Sequence, residues 1–123
     1  MSEEVGRPRA EAGVERRHLG TAALGEAIGV DRVETVEVTM GPGRASGRHL
    51  HPCPVVGQVT RGTILFQVEG GPQQHLGPGD AFYEPANTPV AHFDNVGEGP
   101  ATFVANYLLV GGQNELIRML PPQ

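Results

Sequence analysis

Gly43-Arg44-Ala45-Ser46-Gly47-Arg48-His49-Leu50-His51-Pro52-Cys53-Pro54 is the stretch from which the rest of the chain can be read. Two histidines stand two residues apart, after a glycine-rich loop and before a Pro-Cys-Pro bend. On an extended backbone side chains alternate, so His49 and His51 leave by one face and their imidazoles can converge on a single cation. Flanking residues support an extended backbone. Upstream, Val36, Val38 and Met40 alternate with Thr35, Glu37 and Thr39, the pattern of a half-buried strand, and Gly41-Pro42-Gly43 stops it. Downstream, Pro52 and Pro54 cannot donate to a sheet ladder and mark a bend or an edge.

Further strands follow at short intervals. Gly57–Arg61, Thr63–Glu69, Gln73–Leu76, Ala81–Glu84, Val90–Asn95 and Ala101–Val110 each read as extended, and each is bounded by Gly, Pro or Asn turns. The last is long enough for a helix, but its Thr, Phe, Val and Tyr favour a buried strand. With Val33–Met40 and the histidine segment this makes about eight short strands, which implies an all-β barrel or jelly roll. The 18 glycines and 11 prolines among 123 residues agree, because such residues break long helices. Residues 1–30 read as an N-terminal arm and 31–123 as one barrel domain. Within the arm, Thr21–Ile28 is expected to form a short helical turn weakened by Gly20, Gly25 and Gly29.

Composition narrows the function. The net charge of −5 comes from interspersed acids and bases, with no basic stripe, so no nucleic-acid partner is expected. No run approaches the length of a membrane span, and no charged-then-apolar leader opens the chain. Cys53 is the single cysteine, which excludes an internal disulfide and suits a reducing compartment. A cytoplasmic protein with a small-molecule substrate is the expectation, in a homodimer to which the arm and the apolar last strand are suited.

These residues resemble the cupin superfamily of double-stranded β-helix barrels. Its first motif runs glycine, five residues, HxH, three or four residues, glutamate, six residues, glycine. Gly43, His49, His51 and Gly62 fall on that spacing, whereas Val55 stands in the glutamate position. Its second motif runs glycine, five residues, PxG, two residues, histidine, three residues, asparagine. Gly79 and Pro85 fit, Asn87 replaces the glycine, the histidine arrives two residues late as His92, and Asn95 follows one position early. The resemblance spans Val33 to Val110 and implies the jelly-roll fold. It leaves the activity open, since cupins include oxygenases, isomerases and non-enzymatic proteins.

Two imidazoles need at least one more ligand to enclose a cation, and His92, on a later strand, is the candidate. Gln58 is the nearest replacement for the missing glutamate. Positions 55 and 58 face opposite ways on a regular strand, so Gln58 would need a bulge near Pro54 or Gly57 to turn inward. Cys53 is a further soft ligand by parity with His51, although its flanking prolines take it off the strand. Glu84 and Tyr83 approach the mouth at the second turn, with Tyr83 and Phe82 read as core or dimer contacts. His75 reads as solvated, and His18 has no evident partner. Val59, Phe66, Phe82, Phe93 and Phe103 are expected to wall a dry pocket.

Three neutral imidazoles would leave a divalent transition metal with its full charge, a site suited to anionic, chelating substrates. Such a site resembles the three-histidine iron dioxygenases among the cupins. The leading expectation is therefore a metal-dependent dioxygenase, with iron first and manganese, nickel, zinc or copper as alternatives. A non-redox lyase or isomerase is the second reading, and a non-catalytic ligand-binding cupin the third.

Overall fold

The computed structural model of the chain describes residues 10–11 and 13–123. The arm before residue 10 lies outside them. Eleven strands follow in order: β1 (Ala10–Glu11), β2 (Val14–Glu15), β3 (Arg32–Met40), β4 (His49–Leu50), β5 (Val55–Arg61), β6 (Ile64–Val68), β7 (Gln74–Leu76), β8 (Ala81–Glu84), β9 (Val90–Asn95), β10 (Ala101–Leu109) and β11 (Arg118–Met119). β3 to β10 are the eight strands expected from the alternation. β1, β2 and β11 are too short to leave a periodic signature. No helix occurs among the described residues, and Thr21–Ile28 is irregular, its path bent where Gly25 takes a φ of +87°. No helix of the described residues is long and apolar enough to cross a membrane.

Two sheets enclose the core. One has the order β3-β10-β5-β8, the other β11-β4-β9-β6-β7, and every pairing is antiparallel. Because opposed residues share a face, the first sheet presents its interior in rows. Tyr107, Val55 and Glu84 form one row, Ala105, Gly57 and Phe82 the next, and Phe103 with Val59 a third. From the other sheet Ile64, Phe66, Val90 and Phe93 meet them, all at or below 5 % exposure. Phe66, Phe82, Phe93 and Phe103 pack edge-to-face or tilted, with Phe93 and Phe103 centroids 4.7 Å apart.

One irregularity matters for the site. β9 pairs with β6 through Phe93 opposite Phe66 and His92 opposite Gln67, but Val68 then faces Val90, not Ala91. Ala91 is thus an extra residue, a β-bulge that reverses the alternation of side chains. Val90, opposite His49, faces the core, and so does Phe93, three residues later.

Two positions of the sequence pattern have clear backbone reasons. Gly62 has a φ of +81°, and a Cβ there would fall 2.7 Å from the Pro100 carbonyl oxygen, so only glycine fits. Asn87, standing where the pattern has glycine, has a φ of +58°. Asparagine is among the few side chains that tolerate this left-handed region. The Asn87 amide donates to the His51 carbonyl at 2.7 Å, which ties this turn to the histidine segment.

Asn95 anchors the loop that leads to the histidines. It is 2 % exposed, and its side-chain NH2 donates to the carbonyls of Met40, Gly41 and Gly99 at 3.1, 2.9 and 2.9 Å, while Oδ1 accepts from the Gly97 amide. Its backbone amide also holds the Arg44 carbonyl. Asn95→Asp keeps the shape but turns the donor into a charged acceptor facing three carbonyls. Urea denaturation is expected to show a loss of about 3 kcal/mol or more at pH 7, and a loss below about 1 kcal/mol would contradict this role.

Candidate metal centre

His49 and His51 enter the core from β4 and the residue that follows it. Both are buried, at 3 % and 5 % exposure. The second ring nitrogen of each is already engaged: His49 Nδ1 donates to the Gly47 carbonyl at 2.8 Å, and His51 Nδ1 to the Leu116 carbonyl at 2.7 Å. A carbonyl can only accept, so both Nδ1 atoms carry a proton, and in the neutral imidazoles both Nε2 lone pairs point into the core. Orientation of this kind, through the distal nitrogen, is what metal-binding histidines require.

The third member is Glu84, on β8 and 3 % exposed. Its Oε1 lies 2.6 Å from His51 Nε2 and 3.7 Å from His49 Nε2. Two ligands about 2.1 Å from one ion stand about 3 Å apart at a right angle and about 3.4 Å apart in a tetrahedron, so these separations bracket a shared ion. The three side chains form the one group among the described residues whose ligand atoms converge in this way. Glu84 Oε1 is also the one buried side-chain polar atom among the described residues without a hydrogen bond of acceptable geometry. With both imidazoles neutral, three acceptors meet here with no donor among them. A divalent cation satisfies all three at once, and the donor set of two imidazoles and a carboxylate suits one.

Strand pairing explains why Glu84 takes this place. Val55, which occupies the glutamate position of the sequence pattern, lies directly opposite Glu84 in the β5–β8 ladder. Opposed residues project from the same face, so the carboxylate reaches the same region of the core from the neighbouring strand. A signal for it was present in the sequence. Glu84 has the same parity as Phe82, a core candidate, so a regular strand carries both inward.

The other expected ligands lie elsewhere. The Ala91 bulge gives the inward direction to Phe93 and turns His92 away. The His92 side chain is 41 % exposed, with Nδ1 bonded to Asp94 Oδ2 at 2.8 Å. Val90, at the position where the second motif has its histidine, is fully buried and apolar. Gln58 stands opposite Val104 and Ala81, on the other face of the sheet from Val55 and Glu84, because no register shift interrupts Val55–Gln58. Cys53 is buried but outside the converging group, and burial, with Glu34 adding, pushes its thiol pKa up. It therefore stays protonated and poorly suited to ligation. His75 is exposed, and His18 shares a hydrogen bond with Thr21.

Beside the three side chains is a cavity of about 190 Å³. Phe93 and Phe103 line it, as expected, together with Ala105, Val38 and Met40. Val59, Phe66 and Phe82 are core residues behind it. Tyr107 also lines the cavity, in the row of Val55 and Glu84, with its ring edge-on to His51 at 5.6 Å. Burial raises the Tyr107 pKa, and Glu84 and Cys53 add to it, so the phenol keeps its proton. The C-terminal segment closes one side. Ile117 lines the cavity, β11 pairs with β4, Gln113 Nε2 donates to the Pro52 carbonyl at 3.1 Å, and the Leu120 amide to that of Arg48 at 2.9 Å. Arg48 in turn pairs with Glu69. This strap leaves no periodic signature, since most of its contacts are made to backbone carbonyls.

The fold has known relatives. The family profile described as "Cupin domain" matches residues 36–109. The chain belongs to the cupin family. Among solved structures it is similar to an oxalate oxidase in complex with the substrate analogue glycolate (TM-score 0.64, 24 % identity, 72 % of this chain and 46 % of that one). It is similar also to the DMSP lyase DddQ from Ruegeria pomeroyi (TM-score 0.61, 20 % identity, 99 % and 64 %) and to the polyketide cyclase RemF from Streptomyces resistomycificus (TM-score 0.57, 20 % identity, 72 % and 62 %). This cupin spans less than half the length of that oxalate oxidase. No curated protein matches it in sequence.

The metal-free cluster sets a pH dependence. Burial alone would raise the Glu84 pKa, but its interactions with His49 and His51 outweigh burial and hold it below the ordinary 4.5. Burial alone would lower His49, but Glu84 and the Gly47 carbonyl outweigh it and hold His49 above the ordinary 6.5. The Glu84 contribution is present above about pH 4.5 and lost as pH falls through the folded value. The His49 contribution is present below about pH 6.5 and lost as pH rises through its folded value. Metal-stripped protein is expected to reach its highest Tm between these limits in a calorimetric pH series, and saturating nickel to remove the alkaline decline. A stripped-protein Tm that is flat from pH 5 to 8 would contradict the coupling.

Proposed function

We propose that this cupin is a small-molecule enzyme with one divalent transition metal held by His49, His51 and Glu84, and that it is an oxygenase using iron. The convergence of two Nε2 lone pairs and an unpartnered buried carboxylate oxygen carries the reading. Two histidines and one carboxylate with open positions is the donor set of non-haem iron oxygenases. A bound divalent metal would supply a centre of net charge near +1, open to an anionic, chelating substrate. Manganese, nickel, zinc and copper suit the same donors.

The chain's own residues supply the rest. Gly47 and Leu116 carbonyls keep both imidazoles in the ligating tautomer. Apolar walls around the cavity keep competing water out and strengthen the attraction between substrate and site. Tyr107, a phenol, lines the same cavity with its ring 5.6 Å from that of His51.

That phenol favours a second reading, a non-redox lyase or isomerase in which Tyr107 gives a proton and a bound metal would supply Lewis-acid polarisation of the substrate. The fold alone does not choose, since cupin-fold neighbours include an oxidase, a lyase and a cyclase. Anaerobic loading with ferrous iron, followed by oxygen-electrode assays against small diketones, keto acids and thiol acids, separates the two. Substrate-dependent oxygen uptake with iron, lost at least a hundredfold in Glu84→Ala, is expected. Equal turnover with manganese, nickel or zinc in the absence of oxygen would replace the oxygenase by the second reading.

A further inference from the structure

The space beside the ligands limits what can reach them, and it is small and one-sided. At about 190 Å³ it is slightly larger than the cavity of about 150 Å³ that holds benzene in another protein. Its ligand end is the row of Tyr107 and Glu84. Along β10 the next inward residue is Ala105, whose methyl leaves room, and the next is Phe103, whose ring meets Phe93. Away from the ligand end the wall is hydrocarbon apart from Ser46. Among the described residues no lysine or arginine lines it, so none of them would balance a second negative charge there. Arg44 belongs to an adjoining hollow at the rim, reached past Val38, Met40 and Ser46, which the two spaces share.

We propose that this cavity selects molecules with one anionic, oxygen-chelating head and one uncharged apolar body of about a single six-membered ring, seated against Ala105, Phe93 and Phe103. The inference rests on the metal reading of His49, His51 and Glu84 and specifies what that centre takes. Aryl or compact branched keto, hydroxy or thiol acids fit this description. Dicarboxylates place a charge against hydrocarbon, and three-ring flavonols exceed the volume.

Hydroxamates test it, because the chelating head stays constant while the body changes. Full-length protein loaded with nickel, its metal content checked by elemental analysis, is titrated calorimetrically with acetohydroxamate, benzohydroxamate and 2-naphthohydroxamate. Benzohydroxamate is expected to bind at least tenfold more tightly than acetohydroxamate and at least tenfold more tightly than the naphthyl compound. Ala105→Leu is expected to lower the benzo-to-aceto ratio at least fivefold. Should that variant not fold, Phe103→Leu is expected to lower the same ratio at least threefold. Binding of acetohydroxamate without preference for the phenyl group, or equal binding of the naphthyl compound, overturns the inference and leaves the metal reading standing. Failure of every hydroxamate to bind overturns both.

Discussion

Two imidazole lone pairs and one carboxylate oxygen face each other inside a hydrocarbon core with no donor among them, and the barrel is arranged to keep them there. Each group alone is costly to bury. Mutual repulsion of lone pairs would push them apart were they free to rotate. They are not free: the Gly47 and Leu116 carbonyls fix the two rings, and Glu84 is carried inward by a strand whose neighbour, Phe82, sits in the aromatic core. A cation, or in its absence a shared proton, is what makes such a cluster compatible with a stable fold.

Much of the remaining structure serves that constraint. Asn95 fixes the loop before the histidines, the Asn87 turn grips the His51 carbonyl, and the strap from Gln113 to Leu120 provides the carbonyl that orients His51. These contacts come from segments far apart in sequence, so the site exists only once both sheets have closed. The cavity lies on the apolar side of the same cluster, which joins a charged end to a hydrocarbon wall within a space of about one ring.

Most of the architecture was legible in the chain. Period-two alternation at Val36, Val38 and Met40 and the Gly-Pro turns gave eight strands close to their observed bounds. His49 and His51 were legible as same-face neighbours because their relationship is local, two residues apart in one extended segment. The approach of Glu84 was legible only in part: its parity with Phe82 points inward, but its meeting with the histidines depends on pairing between strands. Glu84 replaces a residue on β5 by standing opposite it on β8, a relation that no single-strand pattern contains. His92, expected as the third ligand, points outward because the alternation from Val90 breaks at the Ala91 bulge. His92 and Phe93 could not both face inward on neighbouring positions, and burying the larger apolar ring decided which did. Gln58 stayed outward because the register through Val55–Gln58 is regular.

Whether the third ligand is Glu84 and not His92 is the point on which the account turns. Elemental analysis of nickel-loaded, desalted protein tests it most directly, comparing the parent chain with Glu84→Ala and His92→Ala at matched folding by circular dichroism. Near one metal per chain is expected for the parent and for His92→Ala, and at least a tenfold loss of bound metal in Glu84→Ala. Full metal in Glu84→Ala together with its loss in His92→Ala would contradict it.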